Sequence, residues 1–172
     1  MKREITPLPT TRSLVKLFFL GLITLGIYPL VIYTRMSREI NIIASPYDKK
    51  KTMHYCLLVF VFAPLTLTVG AFVWCHRFCN RIGVELARRG LPYRFSAATF
   101  WGRNIFSLLL LLAATLGVVY ALYMHLPLPR LDLYWGVGIS ALTLLAAIGP
   151  CVFLHKLCTA MNMLSGDYNS RG

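Results

Sequence analysis

Two short patterns invite a chemical reading first. His76-x-x-Cys79 and His155-x-x-Cys158 each place an imidazole and a thiol three residues apart, which on a helix is one face. Two His and two Cys make a complete tetrahedral donor set for zinc. His76, Cys79, His155 and Cys158 are therefore the candidate metal ligands. The competing reading is repeated sequence, with the imidazoles at a headgroup layer and the thiols packed against neighbours. Met53-His54 and Met124-His125 offer thioether and imidazole, donors suited to Cu(I), but only as two isolated dipeptides. The five Cys form no CxxC pair and read as buried thiols acting as small hydrophobes.

Other chemistry is missing. The chain has no Walker loop, GxSxG elbow, HExxH or paired carboxylates, so no cofactor is expected and an enzyme is disfavoured. All six acids, Glu4, Glu39, Asp48, Glu85, Asp132 and Asp167, lie outside the apolar runs or at their edges. A proton-coupled transporter needs an ionisable group inside the bilayer, and none is offered. What the chain does offer is cations. Arg35, Arg38, Arg77, Arg81, Arg88, Arg89 and Lys156 are the candidates for contact with anionic lipid.

The elements that must position these residues follow from composition. The 172 residues are 57% hydrophobic and 14% charged, against about 25% charged in a soluble domain. Mean hydropathy is +0.63, far too apolar for disorder. Yet 18 Lys+Arg face 6 Asp+Glu, a net charge of +12. A basic nucleic-acid binder would not carry four long apolar runs, so no nucleic acid is expected as partner. These runs are 14–33, 55–75, 105–126 and 133–154. As helices of 20 to 22 residues, each covers about 30 Å, the thickness of a bilayer core. Lys16 interrupts the first run near its start and can snorkel. That run is too long for a signal-peptide core and no cleavage site follows it, so it reads as retained. No internal linker divides the chain, so 1–172 reads as one membrane domain.

Self-comparison points to repetition. At an offset of 42, Thr24-Leu25 aligns with Thr66-Leu67, Arg35 with Arg77 and Ile40 with Ile82. At an offset of 79, His76-Arg77-Phe78-Cys79 aligns with His155-Lys156-Leu157-Cys158. The unit is an apolar stretch, a Gly/Pro weak point, then a basic amphipathic tail. These basic segments are 35–51 and 77–103, followed by a C-terminal tail over 156–172. In 77–89, Phe78, Ile82 and Leu86 share a face, Glu85 can pair with Arg88 or Arg89, and Gly90 with Pro92 ends the helix. Small residues one turn apart, Ala113/Gly117, Gly136/Ser140 and Thr66/Gly70, suit close helix packing within the bundle or in an oligomer.

Two topologies fit. Four full spans with both termini cytoplasmic put 12 of the 18 basic residues inside, but carry five across in a short loop that includes Lys49, Lys50 and Lys51. Alternatively, runs one and two are re-entrant hairpins bent at Gly26–Pro29 and near Gly70. That places 17 of 18 inside, with arms of about 15 Å, at the cost of non-helical backbone at membrane depth. Four full spans are the primary reading.

Thr24-Leu25-Gly26-Ile27-Tyr28, with a basic stretch ending at Asn41, resembles an uncharacterised family of small bacterial multi-pass membrane proteins. Thr99-Phe100-Trp101, Gly149-Pro150, Lys156-Leu157-Cys158, Met161-Asn162 and Asp167-Tyr168-Asn169 look like that family's later pattern. The family is catalogued as a domain of unknown function. The resemblance implies a bacterial inner-membrane protein and no particular activity. The second copy departs from the first, with Thr68 and Gly70 in place of Gly26 and Tyr28.

The expectation is an all-α integral membrane protein of four hydrophobic helices with basic amphipathic extensions. Its partners would be anionic lipid headgroups and either a second copy or another membrane protein. Its function would be a non-catalytic interaction or structural module. The alternative is a small oligomeric transporter or channel, with Thr24, Tyr28 and Pro29 near a kinked, lining helix.

Overall fold

The first apolar run is broken in the middle. The computed structural model describes residues 7–123 and 133–171, and in it α1 (Leu14–Ile23) and α2 (Ile27–Asp48) are separated by a three-residue turn. The second run is broken in the same way, between α3 (Tyr55–Leu65) and α4 (Val69–Arg88). Then come α5 (Ala97–Tyr123) and α6 (Leu133–Arg171). Among the described residues all regular structure is helical. Glu4, Asp132, Met124-His125 and the Pro-containing turn with Arg130 lie outside the described residues.

The break has a specific cause. Gly26 N–H donates to Gly21 O at 2.8 Å and Leu25 N–H to Leu22 O at 3.3 Å, the paired bonds of a Schellman ending. Thr24 Oγ1 donates to Leu20 O at 2.6 Å and accepts from Tyr28 N–H at 2.9 Å. One hydroxyl thus ends α1 and starts α2. The second turn repeats each bond. Thr68 N–H donates to Ala63 O at 2.8 Å and Leu67 N–H to Pro64 O at 3.4 Å. Thr66 Oγ1 donates to Phe62 O at 2.6 Å and accepts from Gly70 N–H at 2.9 Å. The Thr66/Gly70 spacing is therefore a latch within one turn rather than a helix-packing groove.

Straight spans over 14–33 and 55–75 are thus corrected to two helical hairpins. Length and hydropathy register apolar content, but neither registers a left-handed residue. Leu25 (φ 49°) and Leu67 (φ 47°) both adopt that region, at a cost of about 1–2 kcal/mol for a residue with a Cβ. The chain uses the ordinary solution elsewhere. α4 ends in a third Schellman turn, with Leu91 N–H on Leu86 O and Gly90 N–H on Ala87 O, both at 3.0 Å, and there the left-handed residue is Gly90 (φ 68°). In α3, residues Leu58–Phe62 widen to a π-helix. Pro64 has no N–H to give to the carbonyl of Phe60 and its ring would strike that carbonyl.

The described chain forms two compact units, Met1–Phe100 with Leu154–Gly172, and Trp101–Phe153. The division falls within α5 and α6. In the first unit, one pattern of five core positions recurs on three helices. Met36, Ser37, Ile40, Ile43 and Ala44 are buried on α2; Phe78, Cys79, Ile82, Glu85 and Leu86 on α4; Leu157, Cys158, Met161, Leu164 and Ser165 on α6. The basic segments are therefore faces of a packed core, with Phe78, Ile82 and Leu86 inward as their spacing requires. In the second unit, Ser107, Ala114 and Ala146 are buried. A Cβ on Gly149 would collide with Ser107 Oγ and lie 2.6 Å from Arg103 O, so only glycine allows this approach of α6 to α5. Leu108, Leu112, Leu116 and Leu144 face outward. Two helices, over 97–120 and 136–171, are long and apolar enough to cross a membrane.

Candidate functional site

The polar residues of the first unit gather into three clusters. The first ties the N-terminal arm to α6. Asn162 Nδ2 donates to Arg12 O at 2.8 Å, while its Oδ1 accepts from Arg12 N–H at 3.2 Å. Asn169, two turns on, treats Leu8 the same way, at 2.9 and 2.8 Å. Each amide thus satisfies one residue's N–H and C=O, as a neighbouring strand would. The Arg12 guanidinium also bonds Asn162 Oδ1 and pairs with Glu39. Both side chains of that pair are under 10% exposed.

The second cluster centres on Arg81. Its Nε and Nη2 hold both oxygens of Asp48 at 2.7 and 2.9 Å, the bidentate fork that a guanidinium makes with a carboxylate. Its remaining N–H groups reach Asn41 Oδ1 (2.6 Å), Thr52 Oγ1 (2.7 Å), Ser45 Oγ (3.0 Å) and Lys50 O (2.6 Å). Asn41 in turn brackets Thr52, accepting from its N–H and donating to its C=O. One arginine from the second hairpin thus fixes the 48–52 connection that leaves the first.

In the third cluster Glu85 receives Arg88 and Arg89, and Asp167 receives Arg89 and Arg171. The Glu85 pairing expected on one helix is present, and Arg89 extends it to α6. Arg88 lies 3.5 Å over the Tyr47 ring, a cation–π contact.

Carboxylate environments differ in sign. For Asp48, burial pushes the pKa up, but Arg81's hydrogen bonds, the Lys50 N–H and the charges of both hold it below the ordinary value. Glu85 and Asp167 are likewise lowered, since their arginines outweigh burial. Glu39 goes the other way. Burial raises it, and Arg12, Arg35 and Arg38 only partly offset that.

The seven candidate lipid contacts therefore divide. Arg81 and Arg89 are spent on internal acceptors, with side chains 10% and 6% exposed. Arg88 is shared between Glu85 and Tyr47. Arg35, Arg38 and Arg77 are exposed and Lys156 half-buried, and none has an ion-pair partner among the described residues. The four candidate metal ligands are not brought together. Cys79 and Cys158 are buried in the core while His76 and His155 are exposed. Among the described residues no three His, Cys, Asp or Glu side chains form a group that could hold a metal.

The clusters could not be read from the sequence as clusters. Asn41, Asn162 and Asn169 stood out only as part of a resemblance, and Ser45 and Thr52 carried no signal beyond polarity near basic residues. The base of the hairpins is aromatic. Tyr33 stacks on Tyr55 at 4.8 Å and Trp74 on Phe78 at 4.7 Å. Trp74 Nε1–H also donates to Met53 O at 3.0 Å.

No curated protein and no solved structure matches the chain. Residues 12–84 match the family model described as a domain of unknown function (DUF4234). That stretch begins at the buried arginine of the first cluster, takes in both hairpins and ends inside α4, and the match supports an uncharacterised family of that description.

Proposed function

We propose that this is a non-catalytic multi-pass membrane protein, an interaction or structural module that holds anionic lipid at its cationic surface. In this reading α5 and α6 span the bilayer. The two hairpins are re-entrant, and the packed polar bases of α2 and α4 with their three clusters, here called the cap, face the cytoplasm of a bacterial inner membrane together with both termini. The repeated turns and the recurring core positions favour descent of the hairpins from a duplicated unit.

The observation that carries the reading is a charge asymmetry. All four described carboxylates, Glu39, Asp48, Glu85 and Asp167, are taken by arginines inside the first unit. That leaves Arg35, Arg38 and Arg77 exposed without a counter-ion among the described residues, ten or so residues from apolar turns. Cations at that depth meet phosphate, and each is worth about 1 kcal/mol near an anionic surface. The test is the lipid retained by protein purified from mixed phosphatidylcholine and phosphatidylglycerol nanodiscs. The Arg35→Gln/Arg38→Gln/Arg77→Gln variant should lose most of its phosphatidylglycerol enrichment. Enrichment equal to that of the unaltered protein would remove the proposal.

A further inference from the structure

The two hairpins point the same way. Along α2 and α4, the Tyr33–Tyr55–Trp74 ring contacts, the Asn41–Arg81 bond and the Tyr47–Arg88 contact occur in the same order on both helices. The helices are therefore parallel, and both turns lie at one end of the pair. Each turn is ten residues from an exposed arginine, Leu25 from Arg35 and Leu67 from Arg77, a rise of about 15 Å. That is half of a hydrocarbon core of about 30 Å.

The tips themselves are informative. Leu25 is 93% and Leu67 85% exposed, and both sit in a left-handed backbone that disfavours any side chain. Gly90 ends α4 with the same turn and no such conflict. At both tips a leucine stands where the backbone favours glycine. Strain of this kind at an exposed site points to a use for the side chain. Around the tips Ile23, Ile27, Leu65 and Val69 are exposed as well, and nothing charged lies among them. The surroundings that suit such a surface are acyl chains.

We propose that the paired hairpins are a single-leaflet wedge. They insert four helical arms, each about 10 Å across, into the leaflet next to the cap and none into the other. Added area on one side favours a membrane that curves away from that side. The protein then concentrates on membrane whose cap-facing leaflet is convex. This rests on the re-entrant reading above, with the acyl chains of one leaflet as the occupant of the tips.

The experiment uses the full-length protein, fluorescently labelled and reconstituted with the cap outward in giant vesicles of phosphatidylcholine and phosphatidylglycerol. Narrow tubes are then drawn from these vesicles. Protein density per membrane area should be severalfold higher on the tube than on the vesicle body. Equal density on both overturns the wedge. A second measurement isolates the underlying reading. Single cysteines, Leu25→Cys or Leu67→Cys in a background without other Cys, carry an environment-sensitive dye. The dye should be quenched by lipids brominated near the chain ends. Lys50→Cys should be labelled only from the cap side. Quenched tips with no sorting discard the wedge alone. Unquenched tips, or Lys50→Cys labelled from the far side, discard the hairpins and the wedge together. Tips shielded by a second copy would show as unquenched dye with tip-to-tip crosslinks, and count against it equally.

Discussion

In the first hairpin Gly26 occupies the second left-handed position of the turn; in the second hairpin Thr68 does, at φ 69°. The backbone bonds the two turns share agree to within 0.1 Å, and the second adds one, Ala71 N–H to Thr68 O at 2.9 Å, where Pro29 has no N–H to give. Lower down, the difference becomes one of charge. The position of Glu39 on α2 corresponds to that of Arg81 on α4. Glu39 turns to the N-terminal arm and Arg81 to the inter-hairpin connection. The apolar device is repeated, while each base is wired to a different piece of chain. The two turns can match because their exposed apolar side chains have no specific partner to satisfy. The polar bases must each find their own partners, because a buried charge without one is costly.

The largest effect should follow from removing the more connected of the two charges. Arg81→Ala strands Asp48 and frees Asn41, Thr52 and Lys50 O at once. Breaking a fully buried pair costs about 3–5 kcal/mol. Asp48 keeps 29% side-chain exposure, so about 2–4 kcal/mol is expected. Denaturant unfolding in detergent micelles measures it. A loss under about 0.5 kcal/mol, the size of a surface substitution, would mean that the Arg81 network is decoration.

That network also marks the limit of sequence reading. The Phe78–Ile82–Leu86 face, the Glu85 partners and the stop at Gly90 were legible because each is set within a few residues. The breaks in the first two runs were legible only as the alternative of bends at Gly26–Pro29 and near Gly70, a few residues from where they fall. They depend on Thr24 and Thr66 latching backbone across a turn, and on leucines in a conformation that propensity argues against. Arg81 looked like a headgroup ligand because its helix position says only that it is polar, not that acceptors arrive from a connection about 30 residues earlier. Asn162 and Asn169 were visible as a pattern, but their partners lie at Arg12 and Leu8, at the other end of the chain. For Arg81 and the two asparagines the missing information was the identity of a distant partner; for the breaks it was a local backbone conformation that propensity disfavours.

A pH series separates the two bases by sign. Asp48 is lowered in the folded protein. Its contribution is present above the ordinary aspartate value and is lost as pH falls through the folded one. The cost of Asp48→Asn should therefore shrink on acidification. Glu39 is raised, so the folded state holds its proton more tightly than the unfolded chain does. Its contribution is full below the ordinary glutamate value and diminishes as pH rises through the folded one. The cost of Glu39→Gln, about 1–2 kcal/mol since Gln still accepts from Arg12, should accordingly grow on acidification. Unfolding free energies of both variants across mildly acidic pH give two slopes. Slopes of the same sign would erase the distinction between the bases.

The smallest expected effect bears on the turns. Thr68 carries a β-branched side chain at a left-handed position, while its hydroxyl returns only to Leu67 O at 2.6 Å. Gly26 at the equivalent place has no such strain. Thr68→Gly should therefore stabilise the protein by about 0.5–1 kcal/mol, the relief of left-handed strain offset by the greater freedom of glycine in the unfolded chain. Gly26→Thr should destabilise by a similar amount, since a Cβ there would meet no neighbour within 4 Å and conformation alone is at issue. The exchange Gly26→Thr/Thr68→Gly should then be close to neutral if the two turns are equivalent. A double variant far from neutral would show that the hairpins differ at their tips as well as at their bases, because no backbone hydrogen bond joins the two turns and their effects should simply add.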